Sequence, residues 1–310
     1  MKALPFLCCL ARPSALLRAT VVELAILAGH LLLYPTGMHQ EQPRAVPGTP
    51  AGPGNGTGGN DGPAPGSSGG TAPGISDGSD DTTGTVTAAR PALLPTEGRA
   101  HPPVLLLHGF IDNRSVFVLL RRSLLRHGWR HVEALNYSPL TCDLRKAAEL
   151  LGRHVEQICE RTGHSRVDLV GHSLGGLIAR YYAQRLGGDL RVRTLVTLGT
   201  PHGGTRVAPL MSAHPLVRQM RPHSDVIVEL ARPAPNCRTH FVCFWSDLDQ
   251  LMVPVETARI DHRDLITRSV RVSGVGHLAL PVNGAVAAGI REALSAEEDA
   301  EDGTSATSVA

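Results

Sequence analysis

The stretch that decides the fold reads Val167-Asp168-Leu169-Val170-Gly171-His172-Ser173-Leu174-Gly175-Gly176-Leu177-Ile178-Ala179. Its first four residues are a largely apolar, β-branched run that predicts a strand, and the residues from Gly176 onward have the pattern of a helix. Glycines on both sides of Ser173 permit a tight turn without a Cβ clash. The sequence therefore predicts a strand, a sharp turn and a helix, with the Ser173 hydroxyl projecting above the sheet as a nucleophile.

Composition divides the chain into four parts. Residues 48–84 consist mainly of Gly, Pro, Ser, Thr and Asp, which offer too little apolar surface to offset the entropy of ordering. We predict a disordered linker over residues 41–100, one catalytic domain over residues 101–295 and a disordered acidic tail over residues 296–310. Two further Gly-x-Ser-x-Gly matches, at residues 66–70 and 74–78, lie in the linker and lack a flanking strand and helix.

The first forty residues have the features of a membrane segment. Three basic residues lie between positions 2 and 18, and a mainly apolar stretch follows from Ala19 to Met38. Its length permits a membrane span, although Glu23 and His30 interrupt it. We predict an uncleaved signal anchor that associates with the membrane and places the catalytic domain on the extracytoplasmic side. A cleaved signal peptide, which gives a secreted protein, and a peripheral amphipathic helix are the alternatives.

Charge and cysteine usage exclude several classes of partner. The formal net charge is +2 and basic residues do not cluster, so we expect no binding of nucleic acid. Neither the cysteines nor the 15 histidines have metal-ligand spacing, and we expect no metal or other cofactor. Cys237 and Cys243 form the most plausible disulfide of an exported domain. The apolar run around Cys243 is more typical of a buried free thiol.

Strands alternate with helices through the catalytic domain. The apolar run Pro103–Leu107 predicts a buried strand, and a helix is expected over Ser115–His127. The other predicted strands are Val132–Tyr137, Arg166–Val170, Val192–Leu198, Thr239–Trp245 and Ser269–Ser273. The other predicted helices are Asp143–Arg161, the one from Ser173 to about Leu186, Asp225–Ala231 and Val282–Leu294, with a loop from Gly199 to about His223. This alternation is typical of an α/β fold with a mostly parallel, doubly wound sheet.

A serine nucleophile needs a base and a group that orients the base. His277 lies in a glycine-flanked loop after the last predicted strand, where its Nε2 atom could accept the proton of Ser173. The acid is expected in the loop after the preceding strand, which offers Asp247 and Asp249. We favour Asp249, because the apolar residues 251–253 after it would hold the loop on the domain. Asp247 stays open as the alternative acid.

The oxyanion of a tetrahedral intermediate needs two fixed hydrogen-bond donors. The backbone N–H of Leu174 directly follows the nucleophile at the start of a helix. The backbone N–H of Phe110 follows His108-Gly109 at the end of the first predicted strand. We expect these two amides to form the oxyanion hole.

Three motifs together resemble the bacterial lipases and esterases of the α/β-hydrolase superfamily. They are His108-Gly109-Phe110, the segment from Gly171 to Gly176, and Gly199-Thr200-Pro201-His202-Gly203-Gly204. The resemblance covers about residues 101–295 and implies a compact α/β-hydrolase fold without a large cap domain. It also implies hydrolysis of a lipid or small ester through an acyl-enzyme.

The sequence leaves alternatives for both the substrate site and the reaction. Apolar residues in the segment 206–223 suggest a small rim over Ser173 that receives an acyl chain, or else an ordinary loop packed on the sheet. An acyltransferase that uses the same acyl-enzyme and an inactive binding module on the same fold are the alternative functions.

Overall fold

A six-stranded parallel sheet forms the centre of the fold. The computed structural model describes residues 17, 18, 20–29, 101–110, 112–137, 143–206 and 214–306, which lie in one compact unit. The strand order is β2-β1-β3-β4-β5-β6, and each neighbouring pair is parallel. The strands are β1 (Val104–Leu107), β2 (Val132–Leu135), β3 (Val167–His172), β4 (Val192–Leu198), β5 (His240–Ser246) and β6 (Ile266–Val272).

Helices cover both faces of this sheet. Helix α1 comprises residues 20–29. The others are α2 (Val118–Arg126), α3 (Leu144–Thr162), α4 (Leu174–Arg185), α5 (Pro215–Gln219), α6 (Asp225–Leu230) and α7 (Gly284–Ala306). Between β4 and β5 the described residues form two short helices, α5 and α6, and no large cap. The predicted doubly wound α/β fold is therefore confirmed.

Alternate residues of the strands belong to two separate apolar clusters. Leu105 and Leu169 pack with α3 and α4 in one cluster, whereas Leu106 and Val170 pack with α2 and α7 in the other. Since successive side chains of a strand point to opposite faces, a strand buried on both faces must be apolar throughout. This requirement explains the unbroken apolar run of β1.

A buried ion pair joins β3, β4 and α7. The Asp168 carboxylate, which interrupts the apolar run of β3, accepts hydrogen bonds from Nε and Nη2 of Arg193 at 3.0 and 2.6 Å. Nη2 also donates to the backbone oxygen of Leu294 at 2.8 Å. Loss of one partner of a buried pair destabilises a protein by about 3–5 kcal/mol. The pair is therefore a strong constraint on the packing of α7.

Most predicted elements begin and end within three residues of their observed bounds, and two regions differ. The predicted loop after β4 contains the short helix α5. Helix α7 continues to Ala306, so the prediction that it ends near Leu294 is wrong, and residues 296–306 of the expected disordered tail are helical. Ala and Glu make up six of the eleven residues 296–306 and Pro is absent, so this composition permits the helix to continue.

The structure describes only part of the N-terminal region. The linker over residues 41–100 lies outside the described residues, as do position 19 and residues 30–38 of the expected anchor. None of the helices in the described ranges combines the length and the apolarity that crossing a membrane requires.

Cys237 and Cys243 are free thiols. Cys243 is buried in β5, which agrees with the expectation of a buried free thiol.

Candidate active site

Ser173 lies in the sharp turn between β3 and α4. Its backbone angles, φ 52° and ψ −119°, are unfavourable for a residue with a Cβ atom. The backbone N–H of Ser173 donates to the oxygen of Leu198 in β4 at 2.9 Å, which holds the turn in place. A Cβ atom at Gly175 would collide with the backbone oxygens of Leu107 and His108. The glycine spacing thus allows α4 to begin directly against β1.

His277 and Asp249 form a buried hydrogen bond. The His277 Nδ1 atom lies 2.8 Å from Oδ2 of Asp249, and the two residues are 2% and 3% exposed. Since an ionised carboxylate can only accept, His277 is the donor through Nδ1. The other carboxylate oxygen, Oδ1, accepts from the backbone N–H groups of Leu251 and Met252 at 3.0 and 3.1 Å. Asp249 is therefore held in a position that orients the His277 ring.

The alternative acid, Asp247, occupies a different environment. Its carboxylate pairs with Nη2 of Arg271 at 2.7 Å and accepts from the backbone N–H of Gly274 at 3.4 Å. The side chains of this pair are 34% and 57% exposed. The structure thus brings Asp249, rather than Asp247, to His277.

Opposing effects determine the protonation of His277. Burial lowers the pKa of the ring, whereas the negative charge and hydrogen bond of Asp249 raise it, with smaller contributions from Glu23 and Asp112. The charges prevail, and the pKa lies above the ordinary value of 6.5. The surroundings of His277 therefore stabilise the protonated form of its ring.

His172, the residue before Ser173, is a further member of the site that the sequence did not predict. Its Nε2 atom donates to the backbone oxygen of His277 at 3.2 Å, and Nδ1 lies 3.3 Å from Oδ2 of Asp112. The rings of His172 and His277 are 4.7 Å apart between centroids. Burial lowers the pKa of His172, which favours its neutral form. A single sequence carries no signal for this contact, since 105 positions separate the partners.

The two predicted oxyanion-hole amides lie near Ser173. Leu174 is the first residue of α4, where backbone N–H groups have no partner within the helix. Phe110 follows β1 and lines the same cleft as Ser173 and His277. Next to it, the Tyr137 ring stacks on His108 at 4.3 Å, and its hydroxyl donates to the backbone oxygen of His108. These contacts fix the start of the loop that carries Phe110.

The cleft beside Ser173 is open and mainly apolar. The space within it is about 680 Å³ when its solvent-filled mouth is included. Its apolar lining comes from several loops and from the α5 region: Phe110, Val217, Met220, Leu251, Met252 and Leu278. In the part of the chain that the structure describes, no group of His, Cys, Asp and Glu side chains could hold a metal ion.

His202, in the motif from Gly199 to Gly204, is not among the residues that line the cleft. Its ring is buried, with Nε2 3.0 Å from Oγ1 of Thr197, and its backbone oxygen accepts from Arg180 at 3.3 Å. Burial and the positive charge of Arg180 hold the pKa of His202 well below 6.5. This histidine is neutral and joins β4 to α4.

Part of the chain is similar to known hydrolases. Residues 102–223 match the model of the alpha/beta hydrolase fold. A triacylglycerol lipase of Burkholderia plantarii is 33% identical over 135 residues, which are 40% of this chain and 37% of the relative. A triacylglycerol lipase of Pseudarthrobacter phenanthrenivorans is 34% identical over 114 residues, or 34% of this chain and 35% of the relative. The chain thus matches little more than a third of the length of these relatives.

Solved structures show the same fold at low sequence identity. Aspergillus fumigatus lipase B has a TM-score of 0.56 at 16% identity, over 66% of this chain and 55% of that one. The mature form of Bacillus licheniformis lipase BlEst2 has a TM-score of 0.50 at 15% identity, over 59% of this chain and 87% of that one.

Because Asp249 raises the pKa of His277, removal of its charge should lower that pKa. In Asp249→Asn, burial acts on the ring without the opposing charge, so we expect the pKa of His277 to fall below its wild-type value. An NMR titration of the His277 ring protons measures this pKa. Asp247→Asn is the matched control and should leave it almost unchanged. A larger fall of the His277 pKa in Asp247→Asn than in Asp249→Asn would assign the role of the acid to Asp247.

Proposed function

We propose that this chain is an α/β hydrolase of the lipase and esterase type, a serine carboxylic ester hydrolase that forms an acyl-enzyme on Ser173. The observation that carries this proposal is the buried hydrogen bond between Asp249 and His277 beside a cleft that Ser173 also lines. A nucleophile, a base and a group that orients the base are the parts that such a reaction needs.

The proposed reaction has two halves. In the first, Oγ of Ser173 attacks the ester carbonyl carbon while Nε2 of His277 takes the hydroxyl proton. The backbone N–H groups of Leu174 and Phe110 stabilise the oxyanion, and the alcohol leaves with the proton from His277. In the second half, His277 takes a proton from water as the water oxygen attacks the acyl carbon, and His277 then gives this proton to Oγ of Ser173 as the acid leaves. Asp249 holds the His277 ring through Nδ1 and stabilises the imidazolium.

The lining of the cleft favours an ester with an apolar acyl group. Val217 and Met220 lie in residues 206–223, for which an apolar rim is predicted, and both contribute to the cleft near Ser173. Residues 207–213 of that segment lie outside the described residues. We therefore propose a lipid or small ester as the substrate, with its acyl chain against these side chains.

We also propose that the N-terminal segment associates with a membrane and keeps the catalytic domain on its extracytoplasmic side. Four apolar side chains near α1 are 49–66% exposed and support a contact with lipid: Leu17, Val21, Val22 and Leu24. Fractionation of the cells that produce the full chain tests this proposal. Recovery of all the protein from the soluble cytoplasmic fraction would contradict it.

Replacement of the nucleophile should abolish the activity. With p-nitrophenyl esters from acetate to palmitate, we expect Ser173→Ala to lower kcat by about a millionfold, since no other group takes over the attack. Ser165→Ala, at an exposed position, is the control and should retain the wild-type rate. Equal turnover by Ser173→Ala and wild type would refute the serine mechanism.

Narrowing the cleft should change the acyl-chain preference. Leu251 lines the cleft and is 39% exposed, so the fold has room for a larger side chain there. In Leu251→Trp we expect kcat/KM for palmitate to fall by about tenfold or more relative to acetate, which corresponds to about 1.4 kcal/mol of lost contact. Val253→Trp, at a position 40% exposed and outside the cleft lining, is the matched control. The same chain-length profile in both variants would show that acyl chains bind elsewhere.

A further inference from the structure

The carboxylate of Glu23, on helix α1, binds the loop that carries His277. Its Oε2 atom accepts the backbone N–H of Leu278 at 2.9 Å, and Oε1 accepts that of Ala279 at 3.0 Å. These are the two amides that directly follow His277. Hydrogen bonds to an ionised acceptor are stronger than neutral ones, and two of them fix both the position and the direction of the loop.

Gly276 provides the space for this contact. A Cβ atom at position 276 would collide with Oε1 of Glu23 and would lie 2.5 Å from its Cδ atom. The φ of Gly276 is not in the left-handed region, so the backbone there does not itself require glycine. The close approach of Glu23 thus gives a physical reason for glycine immediately before His277.

Helix α1 also contacts the loop that carries Asp249. Oγ1 of Thr20 lies 3.1 Å from Nε2 of Gln250, the residue after Asp249. On the same helix, Ile26 packs against the apolar cluster of α2 and α7. Thr20, Glu23 and Ile26 are spaced three residues apart and share one helix face. One face of α1 therefore binds both loops of the Asp249–His277 pair.

We propose that Glu23 is a positioning residue for His277, so that full ester hydrolysis requires the N-terminal helix as well as the catalytic domain. This inference rests on the proposed function. It adds a residue that touches neither the substrate nor the reacting atoms and acts through the loop of the base.

Four groups with titratable side chains surround the His277 ring. Burial lowers its pKa, whereas Asp249 raises it most, followed by Glu23 and Asp112. His172 also faces the ring, and burial favours its neutral form. Loss of the Glu23 charge should therefore lower the pKa of His277. Because the base must be neutral to act, the acid limb of the pH profile should move to lower pH.

Steady-state kinetics of the full chain test the positioning role. In Glu23→Gln and Glu23→Ala we expect kcat for p-nitrophenyl acetate to fall by about tenfold, since a small displacement of a base is costly. KM should change by less than about twofold, and the acid limb of kcat/KM should move to lower pH. Glu256→Gln removes an exposed carboxylate elsewhere and is the control. Wild-type kcat and pH profile in both Glu23 variants would overturn the proposal.

A double-mutant cycle separates positioning from a general loss of stability. Gly276→Ala should displace Glu23 and reproduce the effect of Glu23→Ala. In the double variant, the methyl group added at position 276 no longer meets the side chain of Glu23. The losses of kcat in the two single variants should therefore not add. Full additivity of the effects on kcat would contradict a shared mechanism.

Amide hydrogen exchange of the full chain gives a readout that does not need turnover. We expect the amides of Leu278 and Ala279 to exchange at least about tenfold faster in Glu23→Ala than in wild type, since they lose their acceptor. Unchanged exchange would overturn the contact whether or not the protein hydrolyses esters. Faster exchange in a protein without esterase activity would retain the contact and reject the proposed function instead.

Discussion

The hydrogen bond between His277 and Asp249 requires that the chain bring the ends of β5 and β6 together. These strands are parallel neighbours, so the loops that follow them emerge at the same edge of the sheet. Ser173 follows β3 at this edge, with β4 between β3 and β5. The order of the strands therefore places Ser173, Asp249 and His277, which are far apart in the chain, at one edge of the sheet. Helices pack against the apolar strands on both faces of the sheet, and this packing keeps the arrangement fixed.

Burial of the pair makes its hydrogen bonds essential. An unpaired buried carboxylate or imidazolium is costly, and here each group satisfies the other. Asp249 has two further donors in the Leu251 and Met252 amides, and the His277 loop is bound by Glu23. The charge and hydrogen bond of Asp249, with smaller contributions from the charges of Glu23 and Asp112, explain why a ring that is 2% exposed has a raised pKa. In the reaction that we propose, such a base takes the proton of Ser173 and gives it to the leaving alcohol.

The sequence predicted where in the fold those candidate residues lie whose positions depend on local patterns. Ser173 lies between a strand pattern and a helix pattern, and His277 follows the last strand, so both positions could be read from short segments. The choice between Asp247 and Asp249 could not, because both lie in one loop and the difference depends on how that loop folds. Asp247 directly follows β5, as expected. Of the apolar residues expected to hold the loop, Met252 is buried, whereas Leu251 and Val253 are exposed.

Contacts between distant segments explain most of what the sequence did not predict. His172 and Glu23 reach His277 only after the sheet has formed, and no periodicity in a single sequence links them. The length of α7 was underestimated for a different reason. Its acidic residues were interpreted as a solvated tail, although a charged, alanine-rich segment can continue a helix that is already packed.

Covalent labelling with a fluorophosphonate tests the central claim most directly, because this reagent reacts with a serine that a neighbouring base activates. Intact-mass and peptide analysis of the full chain should show one adduct, on Ser173, and His277→Gln should form it at least about a hundredfold more slowly. An adduct on another serine, or equal rates in wild type and His277→Gln, would contradict the account.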